Sequence, residues 1–208
     1  MHIVQDKVAG TLIPVVLTKK TNPSFVGSWM LKDLSICDKL IEFADDPSVS
    51  SEEGLIRQGA GVVVDKKVKN SLDKSLSAEK DLTREYSSAL QECLDLYNKE
   101  YPEANKVAVY RDSREAINVQ KYPIGGAYHG WHAERGGTAT GHRHLVFMTY
   151  LNDITDGGET EFMYQKLKIK PRKGLTLIWP SDWTHTHRGL PSATQVKYIV
   201  TGWYGFID

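Results

Sequence analysis

Only two cysteines occur in the 208 residues, Cys37 and Cys93, and they lie far apart. That excludes a disulfide framework and a cysteine-built zinc site, and leaves two buried free thiols as the expectation. No apolar run approaches the roughly 18 residues needed to span a bilayer. The opening MHIVQDKVAGTLIPVVLTKK has no basic leader and only a short apolar run, so no signal peptide is expected. A charge surplus is missing as well: Lys plus Arg and Asp plus Glu both number 26, for a formal net charge of zero. Proteins that hold nucleic acid by counterion release usually carry a basic excess, so no nucleic-acid partner is expected. Together these absences imply a soluble, cytoplasmic protein with no membrane partner; the pattern fixes no oligomeric state.

What is present is an ordinary globular composition, 40% hydrophobic and 25% charged, in a chain near the upper length for one domain. Residues 1–208 read as a single unit: 1–105 a helical support region with a few strands, 106–208 a β-rich core. Leu31–Ala44 carries Leu34, Ile36, Cys37, Leu40, Ile41 and Phe43 at helical spacing. Ser87–Asn98 repeats that periodicity with Leu90, Cys93, Leu94 and Tyr97, and Pro102 follows as a stop signal. Between them, residues 59–65 (GAGVVVD) read as a strand. The Lys- and Ser-rich stretch 66–80 reads as a solvated surface, with a substrate lid as the alternative.

From about Lys106 the character changes. VAVY, INVQKY, HLVFMTYL, TEFMY, LKIK, GLTLIWP and VKYIVTGWYGF are short apolar runs punctuated by Gly, Asp and Pro. Several alternate, as Leu175, Leu177 and Trp179 do on one side, and repeated short strands of this kind suggest a sandwich or barrel.

Six of the seven histidines lie between positions 129 and 187: His129, His132, His142, His144, His185 and His187. Imidazoles crowded into strand-and-turn sequence point to a metal. His132 and Glu134 are two apart, so on an extended segment both side chains reach the same side. A third ligand must come from a distant strand, and His185 and His187 are the candidates. Two imidazoles and one carboxylate on one face leave three open positions, the arrangement of non-haem iron oxygenases. A rival set, His142-x-His144, lacks the carboxylate a few residues later that cupin-type sites use.

The segment 117–203 resembles the prolyl-hydroxylase-like branch of the 2-oxoglutarate/Fe(II) oxygenases. Tyr122 to Tyr128 (YPIGGAY) followed by His132-x-Glu134 resembles the Tyr-rich strand that leads into the family's His-x-Asp motif. Residues 143–152 (RHLVFMTYLN) resemble its Arg-containing strand ending in Tyr-Leu-Asn. Residues 157–162 (GGETEF) resemble its Gly-Gly-x-Thr-x-Phe turn, and 171–174 (PRKG) its Pro-x-x-Gly turn. His187-Arg-Gly-Leu-Pro191, with Lys197, Tyr198 and Trp203, resembles the distal histidine and the basic residue that follows it.

The resemblance implies an α+β, mainly β fold: a double-stranded β-helix of jelly-roll or cupin type with supporting N-terminal helices. It implies Fe(II), 2-oxoglutarate and O2 as cofactors and co-substrates, and admits ascorbate as an accessory reductant. The iron ligands and catalytic residues become His132, Glu134 and His187, because Pro191 and Lys197 stand at the family's offsets from His187. His185 and His129 then fall outside the ligand set. Lys197, with Tyr150 and Tyr122 as hydroxyl donors, would bind the far carboxylate of 2-oxoglutarate. Trp131, Arg143 and Trp203 would line or brace the substrate pocket.

The implied activity is hydroxylation of an unactivated C–H bond, first of all in a prolyl residue of a peptide or protein, with release of succinate and CO2. A free amino acid or other small molecule is the alternative substrate. One position departs from the pattern: Glu134 stands where the family usually has Asp. A metal-binding β-sandwich without catalysis is the alternative that this substitution raises.

Overall fold

The computed structural model describes residues 3–8, 11–16, 23–59, 61–106, 110–112 and 115–206. Its elements, in chain order, are strands β1 (Ile3–Val8), β2 (Thr11–Val16) and β3 (Gly27–Met30), and helix α1 (Ser35–Asp45). Strands β4 (Glu52–Glu53), β5 (Leu55–Gln58), β6 (Gly61–Val64) and β7 (Leu72–Ser75) precede helix α2 (Lys80–Glu100) and the single turn α3 (Glu103–Lys106). The rest is β8 (Tyr110–Asp112), β9 (Asn118–Tyr122), β10 (Arg143–Tyr150), β11 (Thr160–Phe162), β12 (Leu167–Ile169), β13 (Leu175–Pro180), β14 (His187–Gly189) and β15 (Lys197–Phe206).

The strands form an eight-stranded antiparallel sheet, ordered β3-β13-β10-β15-β9-β7-β4 with β8 also on β15, and a three-stranded sheet, β12-β11-β14. β1 pairs with β2, and β5 with β6, as separate hairpins. This is the expected mainly β architecture with few helices. Six of the seven C-terminal runs are strands here; of VAVY, residues 107–109 lie outside the described residues. Among the described residues no helix is long and apolar enough to cross a membrane.

Alternation along the large sheet builds two cores from the same strands. On β10, Leu145 and Phe147 face α1 and α2, where they join Ile36, Leu40, Tyr86, Leu90 and both cysteines. Val146, Met148 and Tyr150 point the other way, into the sandwich, with Leu177 and Trp179 of β13, Phe162 and Ile199. Leu175 packs on that same inner side, as its alternation with Leu177 and Trp179 indicated. Both cysteines are buried free thiols.

The first helix starts later than its apolar pattern suggests. Leu31 still donates its amide to Gly174 O at 2.9 Å, continuing the edge of the sheet, and Asp33 Oδ1 then accepts from Ser35 N at 2.8 Å. The second helix begins earlier, at Lys80, because its polar first turns carry few apolar residues to reveal the period. The strand expected at 59–65 is narrower, Gly61–Val64, and turns back onto β5; Ala60 lies outside the described residues.

The stretch 66–80 is only partly a solvated surface: Lys66, Lys67, Ser75, Ser77 and Lys80 are exposed, whereas Lys69, Ser71, Lys74 and Leu76 are buried. β7 is bonded into the large sheet, between β4 and β9. Two lysines of the stretch are buried with partners, which a charge-rich pattern does not reveal: Lys69 is bonded to Asp73, and Lys74 Nζ donates to Phe43 O at 3.2 Å and to Asp46 O at the end of α1.

Candidate metal centre and co-substrate pocket

His132 and His187 face each other across an isolated antiparallel bridge. His132 N donates to His187 O at 3.0 Å, and His187 N donates to His132 O at 2.9 Å. Ser181 O accepts from the amides of Glu134 and Arg135, at 3.2 and 2.9 Å, and so fixes the segment beyond His132 against the end of β13. Ligand atoms of His132, Glu134 and His187 all fall within 4.8 Å of one another. Among the described residues, no other group of three or more His, Cys, Asp or Glu converges in this way.

The protonation pattern suits a cation. His132 Nδ1 lies 3.0 Å from Gly130 O, and His187 Nδ1 lies 2.9 Å from His185 O. A carbonyl oxygen only accepts, so each Nδ1 carries the hydrogen and each Nε2 offers its lone pair. Those two Nε2 atoms stand 3.4 Å and 3.6 Å from Glu134 Oε1. Burial drives His187 toward its neutral form, and neighbouring His132 pushes the same way. Burial opposes ionisation of Glu134, yet its carboxyl is held well below the usual range and stays ionised. Three acceptors thus meet with no donor among them, which an ion of charge +2 would resolve. Cis ligands on metal bonds of about 2.1 Å are separated by roughly 3 Å, close to the spacing seen.

The rings around this centre hold it in place. Tyr128 stacks on His132, centroids 3.7 Å apart and planes at 10°, and Trp179 meets His187 edge-on at 5.0 Å. The pattern of titratable residues did not reveal Tyr128; it stands four residues before His132, inside the same motif. His185 is not in the set. It is buried, with Nε2 3.0 Å from Ser24 O and Nδ1 3.0 Å from Thr184 Oγ1, and ties that loop to residue 24. The rival pair is dispersed: His142 Nε2 contacts Glu115 Oε1 at 2.9 Å and His144 Nε2 contacts Ala104 O at 2.9 Å. His129 donates its backbone amide to Val68 O, away from the centre.

A cavity of about 670 Å³ opens over the three residues, lined also by Tyr122, Tyr150, Thr160, Trp179 and Lys197. Lys197, the first residue of β15, is 4% exposed. Its Nζ donates to Gly158 O at 3.1 Å and Leu190 O at 3.4 Å, and lies 4.9 Å from the Tyr122 ring centre. Among the described residues no carboxylate stands within ion-pair distance of it, and burial pulls the ammonium down to about 8. A buried cation held by two carbonyls alone is costly, and an anion entering the cavity would offset that cost.

Tyr150 OH donates to Thr160 Oγ1 at 2.6 Å, with Ile169 O at 3.1 Å, whereas Tyr122 OH donates to Gln120 Oε1 at 2.8 Å. Both tyrosines line the cavity, with these hydroxyls engaged by protein partners. Arg143 and Trp203 line it as well. Trp131 does not: it is 39% exposed, with the Arg188 guanidinium 4.4 Å from its ring centre. Trp131 and His132 are consecutive, so in extended chain their side chains point to opposite sides.

Three candidate metal ligands thus meet at a cavity inside a jelly-roll sandwich, and the comparisons with known proteins point the same way. Residues 117–205 match the family model described as the 2OG-Fe(II) oxygenase superfamily. "Probable prolyl 4-hydroxylase 9" of Arabidopsis thaliana is 27% identical over 126 residues, 48% of this chain and 44% of the relative. "Prolyl 4-hydroxylase subunit alpha-3" of Homo sapiens is 29% identical over 103 residues, 43% of this chain and 19% of the relative. The chain therefore spans less than half the length of these curated relatives.

Among solved structures, a prolyl hydroxylase from Trichoplax adhaerens superposes with a TM-score of 0.68 at 17% identity, covering 88% of this chain and 84% of the other. A prolyl-4-hydroxylase from Pseudomonas putida gives 0.65 at 14% identity, covering 88% and 92%. These two establish the double-stranded β-helix fold. Residues 117–205 are thus similar to the 2OG-Fe(II) oxygenase superfamily, and the curated relatives named above are prolyl 4-hydroxylases. The superfamily uses Fe(II), 2-oxoglutarate and O2, and the donor set described above fits that metal.

Proposed function

We propose that this chain is an Fe(II)- and 2-oxoglutarate-dependent dioxygenase that hydroxylates a prolyl residue in a peptide or protein. One observation carries the reading: His132, Glu134 and His187 converge at the cavity in which Lys197 is buried, with no carboxylate among the described residues in ion-pair contact with it. Iron, 2-oxoglutarate and O2, when bound, supply the oxidation that turns a C–H bond into C–OH, with succinate and CO2 released.

The chain's own residues hold and orient. His132, Glu134 and His187 would hold the metal as its protein ligands, two imidazoles and one carboxylate being a donor set suited to Fe(II). Lys197 would pair with the far carboxylate of the co-substrate, a charge that must be paired once buried. Tyr150 and Thr160 present hydroxyls in the same cavity, and Tyr122 backs Lys197 with its ring. Met148, Trp179 and Ile199 give the cavity an apolar inner wall, backed by Phe162.

The peptide substrate is supported by the names of the relatives, and by the Trichoplax enzyme, whose structure holds a hypoxia inducible factor peptide fragment. The cavity extends past Arg143 and Trp203 to the β5–β6 hairpin, well beyond what 2-oxoglutarate would fill, which leaves room for a chain segment. The test is an anaerobic titration of apo-protein with Fe(II) and 2-oxoglutarate, watching the visible iron-to-keto charge-transfer band. A saturable band, lost in His187→Ala and Lys197→Ala but kept in His185→Ala, supports the reading; proline-peptide-stimulated succinate release then supports the substrate. Iron bound without any band would sink the dioxygenase reading in favour of a non-catalytic metal-binding sandwich.

A further inference from the structure

A glutamate side chain is one methylene longer than aspartate and has one more rotatable bond. Its carboxylate must be restrained before it can act as a fixed ligand, and the structure supplies that restraint at Glu134. Trp203 Nε1 donates to Glu134 Oε2 at 3.1 Å, and Arg143 Nη1 donates to the same oxygen at 3.1 Å. Arg143 Nη1 also donates to the carbonyl oxygen of Glu134 at 2.9 Å, so side chain and backbone of that residue share one anchor.

Arg143 is itself held on every side. Its Cζ lies 3.6 Å from the Trp203 ring centre, and Glu115 takes its other edge, Nε to Oε1 at 2.7 Å and Nη2 to Oε2. Two donors saturate Oε2, and Oε1 alone is left facing the Nε2 atoms of His132 and His187.

We infer that Arg143 and Trp203 are positioning residues which make Glu134 a one-oxygen ligand, and that this site is built for glutamate rather than aspartate. The inference rests on the metal-site reading above. An aspartate at 134 ends one methylene short. It cannot place one oxygen where Oε1 stands and still take the Trp203 indole and the Arg143 guanidinium on the other. The backbone cannot advance to compensate, because Ser181 O holds the amides of residues 134 and 135. The substitution that restores the family's usual residue therefore weakens metal binding here.

The test is Mn(II) binding to the full chain without co-substrate, followed by calorimetry, for wild type, Glu134→Asp, Trp203→Phe and the double variant. Trp203→Phe keeps a ring under Arg143 and removes only the donor. Each single change is expected to weaken binding about tenfold or more, the usual effect of losing a partner of a metal ligand. The double variant should bind within about twofold of Glu134→Asp, since the shortened carboxylate no longer uses the indole. Thermal unfolding checks that all four proteins fold. Additive losses, or Glu134→Asp binding as tightly as wild type, overturn the inference alone. Wild type that does not bind Mn(II), or binds it no better than His187→Ala, overturns the metal-site reading and the inference with it.

Discussion

Lys197 illustrates how one buried side chain couples binding to pH. Its folded value of about 8 lies below the roughly 10.4 of an unfolded lysine. Between those values the unfolded chain holds more protons, so this group makes the ligand-free protein gain stability as pH rises through that window. Below about pH 8 its desolvation penalty is fully present. A dianion in the cavity needs the ammonium charged, so 2-oxoglutarate affinity should be flat to about pH 8 and then fall by up to tenfold per pH unit. Lys197→Arg keeps its charge at every accessible pH and should remove that alkaline fall, even if its larger head weakens binding overall. Charge-transfer titrations between pH 7 and 9.5 on both proteins check this. An identical decline in the variant would assign the effect to another group.

The candidate ligands were partly legible residue by residue. His132 and Glu134 could be paired from their spacing alone, since i and i+2 share a side in extended chain. Choosing His187 over His185 could not be done that way, because those two are also i and i+2 and periodicity places them alike. The structure separates them through the carbonyl of Ser24, which takes His185, while the His132 backbone takes His187. Both partners are distant in sequence. Glu115 escaped for the same reason: nothing near it in the chain marks it as the support of Arg143.

At the scale of elements, legibility followed the sidedness of the pattern. β10, β13 and β15 alternate between two apolar environments and could be read as strands, whereas β7 buries Lys74 against the remote carbonyls of Phe43 and Asp46 and turns Asp73 to the buried Lys69. The turn from Gly157 to Gly158 was recognised from its glycines, and the structure shows why they are needed. Gly157 has φ +87°, and a Cβ there would stand 2.4 Å from Pro191 O. Gly158 has φ +75°, and its carbonyl receives Lys197 Nζ. Gly157→Ala should therefore cost about 2 kcal/mol from left-handed strain, and more from the backbone clash. It should also weaken 2-oxoglutarate binding several-fold, because the displaced turn carries an acceptor of Lys197. Denaturant unfolding and co-substrate titration measure the two effects; a stability loss with unchanged affinity would separate the turn from the pocket.

For the whole molecule, the decisive feature is that the two cores share strands. Leu145 and Phe147 serve the helix-covered face of β10, while Val146, Met148 and Tyr150 serve the cavity side of the same strand. Ile178 and Trp179 divide β13 in the same way. Neither core can come apart while the other keeps those strands, so residues 23–206 should unfold in one transition. The metal centre joins β14 to the segment after β9, and Lys197 begins β15, so ligands at the site bridge parts distant in the chain. Mn(II), a stand-in that supports no turnover, together with 2-oxoglutarate at about 100 times its Kd, should add about 2.7 kcal/mol. For a chain of this size that is a rise in Tm of roughly 5–11 °C. The single transition should move as a whole, and 2-oxoglutarate without metal should move it much less, because Lys197 alone then holds the dianion. Scanning calorimetry decides the point. If ligands shifted only one of two resolved transitions, the helix-backed core and the cavity core would be independent units, and the shared-strand account of this fold would fail.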